Sequence, residues 1–254
     1  MNKRESIEKT KQGFEESFRL GSYYNKQTRD DMHLERILKC IPVEQGMRIL
    51  DLGTGSGYLA FSFAEKYKQV EVIGLDIVEK TLEENQRKAK EKGIHNLHFL
   101  NYEGMNFPFE DNSFDIVIAR YALHHFPAIN DTFCEISRVL KKNGIFFLSD
   151  PTPNDDDIER FVDEYMQMKK DGHIKFYTKD EWEEISNSVN LIYIDGFETN
   201  IRFPRKKETS LEFNDIVSRH DETVIQGYSI EIIEDEIWIM EKVNNLLFRK
   251  SEQY

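Results

Sequence analysis

"RILDLGTGSGYLA", Arg48 to Ala60, sets three glycines into five positions directly after an apolar run. The apolar run reads as a buried strand, and the residues beyond Gly57 read as the start of a helix. Each glycine gives up side-chain packing and raises the entropic cost of ordering the backbone. A chain keeps such a turn where a ligand must lie against bare amides at a helix N-terminus. Which ligand this is must be read from the rest of the chain.

Outward from that turn, strand and helix alternate. Strand one is "MRILDL" (Met47 to Leu52), with its helix through "YLAFSFAEKY". Strand two is "QVEVIGLD" (Gln69 to Asp76), followed by a helix ending near Gly93, well placed as its C′ residue. Strand three is "LHFLN" (Leu97 to Asn101), and strand four is "FDIVIAR" (Phe114 to Arg120), with a helix expected to run to Lys142. Strand five is "GIFFLSD" (Gly144 to Asp150). Repeated strand–helix units with nearly continuous apolar strands predict a doubly wound α/β fold, a parallel sheet covered on both faces. Ligands of such sheets sit beyond the carboxyl ends of the strands.

The flanks differ. Ile7, Phe14 and Phe18 recur at helical spacing before "GSYYN". A second helix is predicted over Thr28 to Ile41 with the stripe Met32, Leu34, Ile37, Leu38 and Ile41. After Asp150 come helical segments, one opened by the capping box Thr178-x-x-Glu181. Two further strands are expected at Leu191 to Phe203 and Asn244 to Lys250. No Gly/Ser/Pro-rich linker or repeat divides the chain. It reads as one domain: an N-terminal helical lid (1–41), a ligand-binding core (47–150) and insertion helices with closing strands (151–254).

Composition narrows the function. At 254 residues with 39% hydrophobic content the chain can bury a sizeable core. No apolar run suggests a membrane span or a secretory leader, and two cysteines, Cys40 and Cys134, are too few for a disulfide framework or a cysteine metal site. A cytoplasmic protein without a metal or a membrane partner is the expectation. A net charge of −13 weighs against nucleic acid, and the basic run "PRKK" (Pro204 to Lys207) reads as a solvated loop.

Gly53, Gly55 and Gly57 alone do not discriminate, because such turns serve NAD, FAD, nucleotides and S-adenosylmethionine alike. The spacing G-x-G-x-G departs from the dinucleotide G-x-G-x-x-G, and S-adenosylmethionine carries no pyrophosphate that needs the helix terminus. Asp76, ending strand two, offers an acceptor for ribose hydroxyls. NAD and S-adenosylmethionine both satisfy that.

The stretch "NYEGMNFPFEDNSFDIVIARYALHHF" (Asn101 to Phe126), together with "DLGTGSG", "GLDI" and "RVLKKNG", separates them. These motifs, in this order over residues 47 to 150, resemble a class I S-adenosylmethionine-dependent methyltransferase. The resemblance is to the ubiquinone/menaquinone biosynthesis methylase group and related small-molecule enzymes. "FPFEDNSFD" matches that group's L-P-F-x-D-x-x-F-D, and "DGHIKFYTKDEW" (Asp171 to Trp182) is similar to segments of its relatives. The resemblance implies a Rossmann-like seven-stranded sheet, mostly parallel with its last strand antiparallel. It also implies S-adenosylmethionine as donor, S-adenosylhomocysteine as product and a small-molecule acceptor.

Carried over by position, the resemblance assigns Asp51 and Gly53 to the methionine end, with Thr54 and Gly55 lining the turn. Asp76 takes the ribose and Ile77 an adenine face. Glu103 stands where the group commonly has Asp, with Gly104 and Met105 along the ring. Arg120 lies beside the methionine moiety. Tyr23 and Tyr24, His124, His125 and His173 are expected at the acceptor pocket, with His125 and His173 as candidates for a catalytic base, since imidazole titrates near neutrality. Asn143-Gly144 replaces the commoner Gly-Gly before strand five. Two rival functions stand beside this one: a non-catalytic S-adenosylmethionine-binding protein, and an NAD-dependent oxidoreductase. Nucleic-acid methylation is disfavoured by the acidity and by the lack of an Asn/Asp-Pro-Pro-Tyr/Phe motif after strand four.

Overall fold

Strand β1 (Arg48–Leu52) lies at the centre of the sheet, paired in parallel with β2 (Glu71–Asp76) on one side and β4 (Phe114–Arg120) on the other. The computed structural model describes residues 2–19, 30–168, 171–206, 210–234 and 236–251. Tyr23, Tyr24 and the expected helix start at Thr28 lie outside the described residues.

The strand order is β3-β2-β1-β4-β5-β8-β6, with β3 at Leu97–Asn101, β5 at Leu140–Thr152, β6 at Leu191–Lys206 and β8 at Glu236–Lys250; the short β7 (Glu231–Ile233) pairs with β8. The first five strands run parallel, and β8 is antiparallel to both β5 and β6. The Rossmann-like expectation of a mostly parallel seven-strand path with the last strand reversed is met. Strand order turns back between β1 and β4. That crevice is the topological switch point where ligands of open α/β sheets bind.

Alternation along the strands explains the two-sided core. Leu50, Leu52, Val117, Ala119, Phe146 and Leu148 face one layer, where Phe133 and Ile136 of α5 (Ile129–Val139) and Trp182 of α7 (Lys179–Ser188) meet them. Ile49, Ile116, Ile118 and Phe147 face the other, against Ile37 and Leu38 of α2 (Asp31–Cys40) and Leu59 and Phe63 of α3 (Tyr58–Lys66). Burying each such side chain contributes roughly 1.5–3 kcal/mol. The remaining helices are α1 (Lys3–Arg19), α4 (Glu79–Glu91), α6 (Phe161–Gln167), α8 (Ser210–Arg219) and α9 (Glu222–Gly227). A third cluster joins α6 and α8 to Tyr228, Ile237 and Ile239, extending the molecule beyond the sheet's carboxyl edge.

Several boundaries differ from the sequence reading. Helix α5 stops at Val139 rather than at Lys142, because Leu140 already pairs with Phe114 of β4. Strand β5 continues past Asp150 to Thr152, and β8 starts at Glu236 rather than Asn244, since its partner β6 extends to Lys206. On α2, Met32 is 84% exposed, whereas His33 is buried with Nε2 2.7 Å from Asn245 Oδ1. Ile37, Leu38 and Ile41 of the expected stripe are buried, and only at its first position does a polar contact, His33 with Asn245, replace the apolar one.

Candidate functional site

A cavity open to solvent on one side occupies the switch point. Its floor is the turn between β1 and α3. Gly55 has φ +49°, and a Cβ there would meet no atom closer than 4.0 Å, so its bare backbone faces open space. Gly53 is packed instead: a Cβ would fall 2.6 Å from that of Ala122, where the exit of β4 crosses the turn.

Two carboxylates flank this floor. Asp51 is buried and its Oδ2 accepts from the Thr54 hydroxyl at 2.6 Å and the Ala60 amide at 3.1 Å. Burial pushes its pKa up to about 7, against the downward pull of those hydrogen bonds. Asp76 at the end of β2 accepts from the Gly55 amide at 2.8 Å and the Val78 amide at 2.9 Å, and burial pushes its pKa up too. Asn85 of α4 donates to the Gly55 carbonyl at 2.7 Å and completes the clamp on the turn. A buried acid that stays costly to ionise is poised for a cation or a hydrogen-bond donor.

On the β2–β3 side, Ile77, Val78, Tyr102 and Gly104 line the cavity. Glu103 and Met105 are not among the lining residues. The Glu103 carboxylate is exposed and turns back to accept from the amide and side chain of Asn106, at 2.8 and 3.1 Å. Its extra methylene lets it close its own turn rather than reach inward.

On the β4 side, Arg120 lies over the rings of Tyr58 and Tyr121, at 4.9 and 4.0 Å from their centroids. Tyr121 holds φ +54°, a conformation that costs a non-glycine residue about 1–3 kcal/mol and clusters at functional sites. The short 3₁₀ turn Leu123–His125 follows. His124 donates its backbone N–H to Asp150 Oδ2 at 3.1 Å and holds Nδ1 2.9 Å from Oδ1. Burial pulls its pKa down, but the charge and hydrogen bond of Asp150, with Asp171 and Glu241, outweigh that and the net shift is upward. For His125, burial and the neighbouring His124 outweigh the pull of Asp171 and depress its pKa to about 3. His173 does not line the cavity. Its Nε2 lies 2.9 Å from Asp163 Oδ1, behind the ring of His124, and burial lowers its pKa.

Helix α1 forms the roof through Ile7, Thr10, Phe14 and Ser17. A Cβ on Gly172 would lie 2.1 Å from the Thr10 hydroxyl, so this glycine permits the helix to seat against the loop after α6. Phe14 meets His125 edge-on with ring centroids 5.0 Å apart. The Lys3–Asp131 pair at 2.5 Å is exposed on both sides and adds little.

The structure thus brings together Asp51, Gly53, Thr54, Gly55, Asp76, Ile77, Gly104, Arg120, His124 and His125. Sequence reading missed Asp171, Glu241, Phe176 and Phe203, which the post-sheet segments deliver to the same cavity, and Asp150 behind His124. Asp51, Asp76, Asp171 and Glu241 make the walls acidic; among the described lining residues Arg120 is the one Lys or Arg. Among the described residues, no group of three or more His, Cys, Asp or Glu could hold a metal ion, and no helix is long and apolar enough to cross a membrane.

Comparison with known proteins gives the family and the fold. Residues 43–191 match a family described as a methyltransferase domain. The chain is 36% identical over 149 residues to the Bacillus subtilis (strain 168) protein named uncharacterized methyltransferase YcgJ, covering 58% of each. It is 31% identical over 184 residues to the demethylmenaquinone methyltransferase of Staphylococcus saprophyticus, covering 71% of this chain and 73% of that one. Against the crystal structure of the B. subtilis protein the TM-score is 0.76 at 25% identity, covering 88% of this chain and 100% of the other. The Haemonchus contortus phosphoethanolamine N-methyltransferase 2 in complex with S-adenosyl-L-methionine shares the fold, with a TM-score of 0.61 at 20% identity, covering 87% of this chain and 52% of that one.

Proposed function

The chain belongs to the methyltransferase-domain family, and on that premise we propose that it transfers the methyl group of S-adenosylmethionine to a small organic acceptor, releasing S-adenosylhomocysteine. The observation that carries this reading is the floor of the cavity. Two buried carboxylates, Asp51 and Asp76, flank an open glycine backbone at the switch point. The residues fit the donor. Asp51 and the Gly53 backbone suit its cationic methionine end, and Asp76 keeps acceptor capacity for ribose hydroxyls beyond its two amide bonds. Ile77, Tyr102 and Gly104 suit the flat base. Glu103 and Met105 take no part in this assignment.

Bound S-adenosylmethionine supplies a methyl group already activated on a sulfonium centre. The chain's own task is alignment and exclusion of water. Tyr121, held at φ +54° beside Arg120, and Phe14 of α1 both line the space beyond the floor. We assign residues 1–41 as an N-terminal unit that covers the site through α1 while α2 packs on the sheet, 47–150 as the donor-binding core and 151–254 as the acceptor wall of one domain. The donor side needs no metal in this scheme, and the acidic walls disfavour nucleic acid as acceptor. Cys40 and Cys134 are both free thiols, in keeping with a reducing cytoplasm.

Isothermal calorimetry tests the reading. S-adenosylmethionine and S-adenosylhomocysteine are expected to bind and NADH not to bind. Binding of NADH alone would overturn the assignment in favour of an oxidoreductase.

A further inference from the structure

Building on the methyl-transfer reading, we propose that His124, oriented by Asp150, takes a proton from the acceptor, and that the acceptor presents a neutral or cationic N–H or O–H nucleophile on an apolar body. Asp150, on the neighbouring strand, receives both the backbone N–H and ring Nδ1 of His124, at 3.1 and 2.9 Å. It therefore fixes the turn and the ring together. A carboxylate only accepts, so Nδ1 carries the proton and the Nε2 lone pair is left for the cavity that His124 lines. A base whose far nitrogen is held by a carboxylate is the arrangement that acid–base chemistry needs. Asp150 is the positioning residue and His124 the catalytic one.

The adjacent imidazoles do not fill this role. For His125 burial and the neighbouring His124 outweigh the pull of the Asp171 carboxylate, and His173 spends Nε2 on Asp163 without lining the cavity. The acceptor side of the cavity is walled by Phe14, Met166, Phe176 and Phe203, with the carboxylates of Asp171 and Glu241. An anionic acceptor would enter a field of its own sign, whereas a neutral or cationic one would not. Such a nucleophile arrives still carrying its proton, so a base is required.

The step balances. The acceptor's heteroatom lone pair forms the bond to the methyl carbon as the carbon–sulfur bond breaks, and that electron pair stays on sulfur as the thioether. An N–H or O–H proton passes to Nε2 of His124, before attack where the acceptor is cationic, because only that loss frees its lone pair, and with or after attack where it is neutral. The imidazolium rests against Asp150 until it releases the proton to solvent. The groups facing this ring are Asp150 of β5, Asp171 of the loop after α6, Glu241 of β8, and the rings of His125 and His173. The three carboxylates favour its protonated form, so turnover should climb with pH as His124 becomes neutral.

The test uses full-length protein with nitrogen-15 in its histidine rings, saturated with S-adenosylhomocysteine and observed by NMR at pH 8. Loss of one ring in His124→Gln assigns the signal. The expected result is a protonated Nδ1, an unprotonated Nε2, and displacement of the Nε2 resonance by benzylamine or benzyl alcohol but not by benzoate. Asp150→Asn should lower the pH at which this ring titrates and weaken its tautomer preference. A proton on Nε2 overturns the proposal, as does a response to benzoate alone or to none of the three probes. Each of these leaves methyl transfer standing. Failure of S-adenosylhomocysteine to bind in calorimetry overturns the methyl-transfer reading itself.

Discussion

Replacing Asp51 by Asn should make the ligand-free protein more stable at alkaline pH while weakening donor binding. Both partners of this carboxylate, the Thr54 hydroxyl and the Ala60 amide, sit on the same oxygen, Oδ2. An Asn that places its carbonyl there keeps both bonds and turns its amide to the cavity. What it removes is the cost of an ionised acid in a buried site. The Asp51 pKa rises from 3.8 to about 7 on folding, chiefly through burial. A folded pKa above the unfolded one means that this group's stabilisation is complete below pH 3.8 and is lost as pH rises through 7. The difference amounts to about 4 kcal/mol at pH 8 as a ceiling, a gain in Tm on the order of 10 °C for a chain of this size. Thermal melts of both proteins at pH 5 and pH 8 read it directly, and the gap between them should widen at pH 8. With saturating donor the gap should narrow, since losing a hydrogen bond to a charged group costs about 1.5–3 kcal/mol, ten- to a hundredfold in affinity. A variant less stable than the parent at pH 8, or one that binds S-adenosylmethionine equally well, would refute the reasoning.

Further outcomes follow from the same geometry. Wild-type affinity for S-adenosylmethionine should fall as pH drops below about 7, where Asp51 takes up its proton; calorimetry across pH 5 to 8 checks it, and a flat profile counts against Asp51 as the cation's partner. Asp76→Ala should weaken donor binding by on the order of ten- to a hundredfold; the same assay reads it, and circular dichroism should show the sheet intact. Gly55→Val puts a side chain into the open floor at φ +49°, so donor affinity should collapse while the fold loses only about 1–2 kcal/mol. Removing residues 1 to about 27 deletes the roof residues Ile7, Thr10, Phe14 and Ser17. The remaining core should bind donor more weakly and transfer no methyl group; retention of full affinity would show that α1 is not part of the site.

The donor half of the site was legible because it is local. A strand, a glycine turn and a helix N-terminus are contiguous from Arg48 to Ala60, and Asp76 is placed by the end of its own strand. The capping box at Thr178 and the C′ position of Gly93 were likewise readable from neighbours alone, and both are observed. The acceptor half was not local. His124 and His125 are indistinguishable in sequence, and only Asp150, arriving from β5, separates a held imidazole from one with a depressed pKa. Glu241 reaches the cavity from β8, whose start was set by pairing with β6 rather than by any pattern of its own. The end of α5 at Val139 depends in the same way on Leu140 meeting Phe114. Glu103 shows the converse: the motif position matches, but one extra methylene and a nearby Asn106 turn the carboxylate outward.

A crystal structure of the complex with S-adenosylhomocysteine tests the central claim most directly. The account predicts the ligand in the β1–β4 crevice, with its ribose hydroxyls on Asp76, its methionine end beside Asp51 and Gly53, and its sulfur facing the space beneath Phe14. A ligand bound elsewhere, or one in the crevice with its ribose away from Asp76, would contradict it.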